Sequence, residues 1–185
     1  MLAEYLEAST YRALSTACYG AILVLAGCSV NIVGPAGPTI AKSMNVGIAS
    51  VGVIFTAEGI GNTLGSAFVG TVLERYEGHA VIGFLCVLMF FAVGLVPTCT
   101  SLAQVNTLYL LIGLCIGLLN GAANTLVTWV RRGRHVGVWV NLVNACAGVG
   151  ASSAPLLFMA MERHVGNGLA SFSAIGLFAT IPACI

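Results

Sequence analysis

Apolar residues run along this chain in long blocks, broken by short clusters of charge, proline and glycine rather than by the alternation of a half-buried strand. A helix needs about 20 apolar residues to cross the hydrocarbon of a bilayer. By that measure the pattern predicts six spans, over residues 13–33, 46–73, 80–96, 102–130, 137–161 and 168–185. Gly34-Pro35-Ala36-Gly37-Pro38 is expected to end the first span, and Pro97-Thr98-Cys99-Thr100-Ser101 to part the third from the fourth. The expected fold is therefore an all-α integral membrane protein, a six-helix bundle forming one domain over 1–185.

Composition narrows the solvent. Of 185 residues 58% are apolar and only 13 are formally charged, 7 basic and 6 acidic. So few charges cannot cover the surface of a water-soluble domain of this size. A net charge of +1 without a basic run excludes nucleic acid as a partner. Glu4 and Glu7 outnumber Arg12 before the first apolar block, the reverse of a signal peptide, so that block is expected to be retained. Basic residues set the expected orientation. With the N-terminus cytoplasmic, the inner segments hold Arg12, Arg75, Arg131, Arg132 and Arg134, and the outer ones only Lys42 and Arg163. The Arg131, Arg132 and Arg134 group is expected to fix topology and meet anionic lipid heads. The seven cysteines contain no C-x-x-C pair and read as small packing residues. His79, His135 and His164 lie at span ends, so no metal or haem site is expected, and no cofactor.

Within hydrocarbon a polar side chain is costly unless it faces another helix or water, so polar positions report inward faces. Gly20, Gly27, Asn31 and Gly34 share one side of the first span. Glu58, Asn62 and Gly65 form a stripe on the second. On the fourth, Gly113, Gly117 and Gly121 repeat every four residues, a small-residue packing surface with Asn120 and Asn124 at its edge. On the fifth, Asn141, Asn144, Gly148 and Ser152 share a face ahead of Pro155. The third and sixth spans carry no such stripe and are expected to face lipid. Asn31, Glu58, Asn62, Asn120, Asn124, Asn141 and Asn144 are accordingly the candidate solute-binding residues. Each amide has a plainer reading, a bond that fastens two helices. Glu58, well inside a span, is a candidate for cation or proton binding or for holding a polar solute, or else a structural carboxyl paired with an amide.

Several segments resemble a known family. Gly70-Thr71-Val72-Leu73-Glu74-Arg75 followed by Gly78 is similar to the G-x-x-x-D/E-R…G signature of the major facilitator superfamily, with one extra residue before Gly78. The run from Gly113 to Asn124 resembles the fourth helix of that superfamily's fucose-permease-like and sodium-dependent glucose transporter branch. Asn141-Leu142-Val143-Asn144 with Gly148-Val149-Gly150-Ala151, ending at Pro155-Leu156, resembles its fifth helix. The resemblance implies the first of two six-helix bundles, with solute held between the halves and access alternating as they rock. It also implies that Gly70, Glu74 and Arg75 form a cytoplasmic latch, the plainer reading being that Arg75 is a topological anchor. Two positions depart from the branch. Asn120 replaces an acidic residue, and Asn144 a histidine or aromatic one. An amide cannot exchange a proton, so coupling falls to Glu58, is absent, or has been lost with activity.

The expected function is carriage of a small polar solute, a sugar above all, across the plasma membrane. Amides offer both donor and acceptor to hydroxyls, and no intramembrane cluster of positive charge awaits an anion. The expected partners are that solute, membrane lipid and a missing C-terminal half. Because the sequence stops at Ile185 inside an apolar run, a fragment or truncated chain is expected. The competing reading is a non-transporting membrane protein that acts by helix association or is inactive. An enzyme is not expected: there is no H-E-x-x-H motif, Ser/His/Asp set or carboxylate cluster.

Overall fold

The structure, a computed structural model, describes residues 2–133 and 135–180. They form helices α1 (Leu2–Asn31), α2 (Val33–Ser43), α3 (Ile48–Val51), α4 (Val53–Arg75), α5 (Gly78–Leu95), α6 (Leu102–Val130), α7 (Val136–Val165) and α8 (Ala170–Phe178), with no strand among the described residues. Four stretches are long and apolar enough to cross a membrane: Ser9–Asn31, Gly78–Thr98, Leu102–Val130 and Val136–Val165. Helix α4 has the length, at 23 residues, but Glu58, Asn62 and its glycines and threonines dilute its apolar character. The last predicted span is described only as the nine residues of α8, since 181–185 lie outside the described residues.

Two boundaries differ from expectation. The first span stops at Asn31, close to the expected 33, but Gly34-Pro35-Ala36-Gly37-Pro38 is itself helical. After a break at Ile32, α2 runs through both prolines to Ser43. Pro35 is the third residue of α2, where a backbone N–H has no intrahelical acceptor in any case, so its missing donor is tolerated. Residues 46–73 are also not one helix, because α3 and α4 meet at Gly52. Other ends follow local chemistry. Ser101 and Gln104 form a reciprocal capping box on α6: Ser101 Oγ accepts from the Gln104 amide at 3.4 Å, and Gln104 Oε1 accepts from the Ser101 amide at 3.2 Å. Gly166 closes α7 at φ +70°, the left-handed position that glycine fills without strain.

The helices associate mainly in pairs, α4 with α6 and α1 with α7. Contacts of α1 with α6 and of α5 with α6 and α8 join these pairs into one bundle. Glycine makes both main seams. A Cβ on Gly61 or Gly65 would strike the Leu110 or Leu114 carbonyl, and one on Gly113 or Gly117 the Glu58 or Asn62 carbonyl. Likewise Gly27 abuts the Ala147 carbonyl and Gly150 that of Val24. Residue numbers rise together along each seam, so both pairs are parallel. Backbones approach this closely only where no side chain intervenes, the small-residue packing that holds membrane helices together in the absence of a hydrophobic driving force. Gly121 meets the Val69 side chain instead, 2.7 Å from where its Cβ would be, so the seam opens there.

Gly117→Val and Gly27→Val are expected to lower the melting midpoint in detergent markedly, since overpacking at a backbone contact costs about 1–3 kcal/mol or more. Gly59→Ala, at a position with nothing within 4 Å, should leave it unchanged or slightly raised. Circular dichroism melts of the three variants provide the comparison.

Candidate functional site

The close parallel packing of α4 and α6 divides the predicted polar residues into two groups. Glu58 is only 8% exposed and lies in the seam, where its own carbonyl backs onto Gly113. Asn62, one turn on and half-buried, borders the Glu58 carboxyl and accepts a weak bond from Ser66 Oγ at 3.5 Å.

The second group stands on the open edge of α6 and α7. Asn144 Nδ2 donates to Asn124 Oδ1 at 2.7 Å, and Asn124 Nδ2 lies 3.4 Å from Asn144 Oδ1, a reciprocal amide pair across two helices. Asn124 also donates to the Asn120 carbonyl and side-chain oxygens, each at 2.9 Å, while Asn144 donates to the Val140 carbonyl at 2.8 Å. Thus Asn120, Asn124 and Asn144 form one connected network. Asn141 and Ser152 are exposed on the same side of α7, with open space beside Gly148. Asn120 and Asn141 are exposed on this edge, and amide side chains can both donate to and accept from hydroxyls.

Asn31 joins neither group. It is exposed, at the break between α1 and α2, and its Nδ2 donates to the Gly27 carbonyl of its own helix at 2.9 Å. Gly70, Glu74 and Arg75 are exposed on the last turns of α4, and neither charged group makes an ion pair among the described residues. Of the arginine group, Arg132 is exposed and Arg134 lies outside the described residues. Arg131 turns back into the bundle: its Nε donates to Thr16 Oγ1 at 2.9 Å, and its guanidinium carbon sits 3.8 Å from the Trp139 ring centroid. That residue therefore ties the end of α6 and the start of α7 to the middle of α1. Cys18, Cys28, Cys86, Cys99, Cys115 and Cys146 form no disulfide, and Cys184 lies outside the described residues.

Other participants escape a reading of the sequence. His79, at a span end, stands in the first turn of α5 and bonds Tyr19 on α1, Nε2 to Oη 3.0 Å, a pairing of residues 60 apart with no sequence signature. Tyr109 is fully buried and donates to the Ser29 carbonyl at 3.4 Å, joining α6 to α1 beside Glu58. Asn106 precedes Leu110, Gly113 and Gly117 on the stripe that faces α4, and its spacing of seven to Gly113 could have marked it.

Long apolar helices joined by glycine seams, with polar side chains gathered at seams and edges, define a multi-pass α-helical membrane protein. No protein-family model matches the chain. Among curated proteins it is similar to sodium-dependent glucose transporter 1 of rat (Rattus norvegicus), 25% identical over 150 residues and 80% of this chain. It is likewise similar to the zebrafish (Danio rerio) protein of that name, 23% identical over 75% of this chain, and to the human (Homo sapiens) one, 27% identical over 71%. The matched stretch covers 30%, 23% and 25% of those three proteins, less than a third of each.

The amide pair sets up a double-mutant cycle. Asn124→Leu and Asn144→Leu are each expected to destabilise the bundle, with a coupling of about 1 kcal/mol between them, as for interhelical bonds in membranes. Additive effects in thermal melts would show that the pair contributes nothing.

Proposed function

We propose that this chain is a six-span bundle that serves as half of a major facilitator-type secondary transporter and carries a small polar solute, a sugar in the first instance. The observation that carries this reading is the amide network of Asn120, Asn124 and Asn144 on an accessible edge of α6 and α7. Amides bond hydroxyls in both senses, and a polar face without fixed charge suits a neutral polyol better than an ion. Similarity to three proteins named as sodium-dependent glucose transporters supports the same solute class.

Six crossings are favoured by the parallel seams. Since α4 runs alongside α6, it traverses the same layer despite its lower apolar content. The contact scheme also supports an internal repeat. Exchanging α1, α4 and α5 for α6, α7 and α8 turns the α1–α7 seam into the α6–α4 seam and keeps α5 against α8. In this reading the N-terminus is cytoplasmic, the bundle sits in the plasma membrane, and a second bundle closes the solute site by alternating access. Gly70, Glu74 and Arg75 then lie at the cytoplasmic rim, free to meet that second bundle.

Uptake of labelled hexose into proteoliposomes holding this bundle together with the second one tests the proposal. Asn124→Ala and Asn120→Ala are each expected to reduce uptake about tenfold, the equivalent of about 1.4 kcal/mol for one lost solute bond. Unchanged uptake in both variants would remove the amide edge from the solute path.

A further inference from the structure

Where three spans end at one side of the bundle, they enclose a cavity that belongs neither to the glycine seams nor to the amide edge. Its volume is about 480 Å³, and it is lined by Tyr11 and Arg12 of α1, Glu77 at the head of α5, and Leu126, Trp129 and Val130 of α6. The apolar stretches of these helices start at Ser9 and Gly78 and stop at Val130, so the cavity lies at the level where hydrocarbon gives way to lipid heads. Tyr11 and Trp129 are exposed there, as aromatic side chains are at the interfaces of membrane proteins.

Its two charges are of opposite sign and do not pair. Arg12 and Glu77 are exposed and form no ion pair among the described residues. Glu77 occupies the N-cap position of α5, yet its carboxylate makes no capping bond. His79 also borders the cavity, but its Nε2 is engaged by Tyr19 Oη. Arg131, the residue after Val130, is turned to Thr16 and Trp139 and lines no part of the cavity. A guest of one sign would leave a group opposed: an anion would face the Glu77 carboxylate, and a cation the Arg12 guanidinium. A guest that carries both signs satisfies both. Leu126, one turn into the span from Val130, makes the remaining wall apolar, which suits a guest with hydrocarbon chains.

We infer that this cavity binds the head of one zwitterionic phospholipid, with its phosphate on the Arg12 guanidinium and its ammonium group on the Glu77 carboxylate. Guanidinium and phosphate meet through charge-assisted hydrogen bonds, among the stronger polar contacts available at a membrane surface. The rings of Tyr11 and Trp129 in the same cavity add attraction for an ammonium group. The bound head joins the start of α1 and the entry to α5 to the end of α6. The site is separate from the amide edge and does not rest on the transport reading.

The test titrates the whole 185-residue chain, purified in detergent, with lipids of identical acyl chains and counts bound lipid by native mass spectrometry. Phosphatidylethanolamine is expected to saturate at one tightly held copy per chain. Phosphatidylglycerol, which has the phosphate without the ammonium, and diacylglycerol, which has neither, should each need about tenfold more lipid for the same occupancy. R12Q should raise the half-saturating phosphatidylethanolamine concentration about tenfold. E77Q should abolish the preference for phosphatidylethanolamine over phosphatidylglycerol while lipid is still bound, a change that loss of folding does not produce. Equal retention of phosphatidylethanolamine and either other lipid by the wild type overturns the proposal, and that comparison needs no variant to fold. So does an unaltered titration in both R12Q and E77Q. Glycerophosphoethanolamine, the same head without chains, is expected not to displace the lipid at equal concentration, and displacement would overturn the lipid assignment in favour of a free zwitterion.

Discussion

Everything in this bundle hangs on direct contact between helix backbones. In lipid there is no gain from hiding apolar side chains from water, because the tails are as apolar as leucine. Association must come from close van der Waals packing and from polar groups that meet. Gly61, Gly65, Gly113 and Gly117 bring α4 and α6 to that distance, and Gly27 and Gly150 do so for α1 and α7. Each seam is built from both sides, with glycines of each helix set against the backbone of its partner.

This packing decides where polarity goes. Where the backbones touch, a long polar side chain is trapped beside the seam, which is the situation of Glu58 and Asn106. Where the seam opens past Gly121, polar side chains reach the edge of the bundle and bond across to the next helix, as Asn124 does to Asn144. The first environment is closed to solvent, whereas the second presents amide donors and acceptors at an accessible edge. Ties from the ends of α6, α7 and α5 to the middle of α1, Arg131 to Thr16 and Trp139 and His79 to Tyr19, hold α1, α5, α6 and α7 together without occupying either place.

Much of this was legible along the chain. The apolar blocks located the long helices, and the four-residue spacing of Gly113, Gly117 and Gly121 marked α6 as a packing helix, because a period near 3.6 is a property of the sequence itself. The amides of α6 and α7 were recognisable for the same reason. What could not be read was the partner of each stripe. Glu58 and Asn124 look equivalent as polar residues in apolar helices, yet one is enclosed by α6 and the other stands at an edge. The prolines after Asn31 misled, because a proline can end one helix or be carried by the next, as Pro35 is in the first turn of α2 and Pro38 inside it.

The sequence by itself determined that the protein lives in lipid, that it is helical, and which faces carry glycine and amide. These follow from composition and local periodicity, which need no knowledge of distant residues. The tertiary structure alone decided that α4 pairs in parallel with α6 and α1 with α7, that Tyr19 meets His79, and that the acceptors of Glu58 and Asn106 share one seam. Those outcomes depend on which glycine faces meet at backbone distance, a choice among many similar small-residue surfaces that only three-dimensional packing resolves.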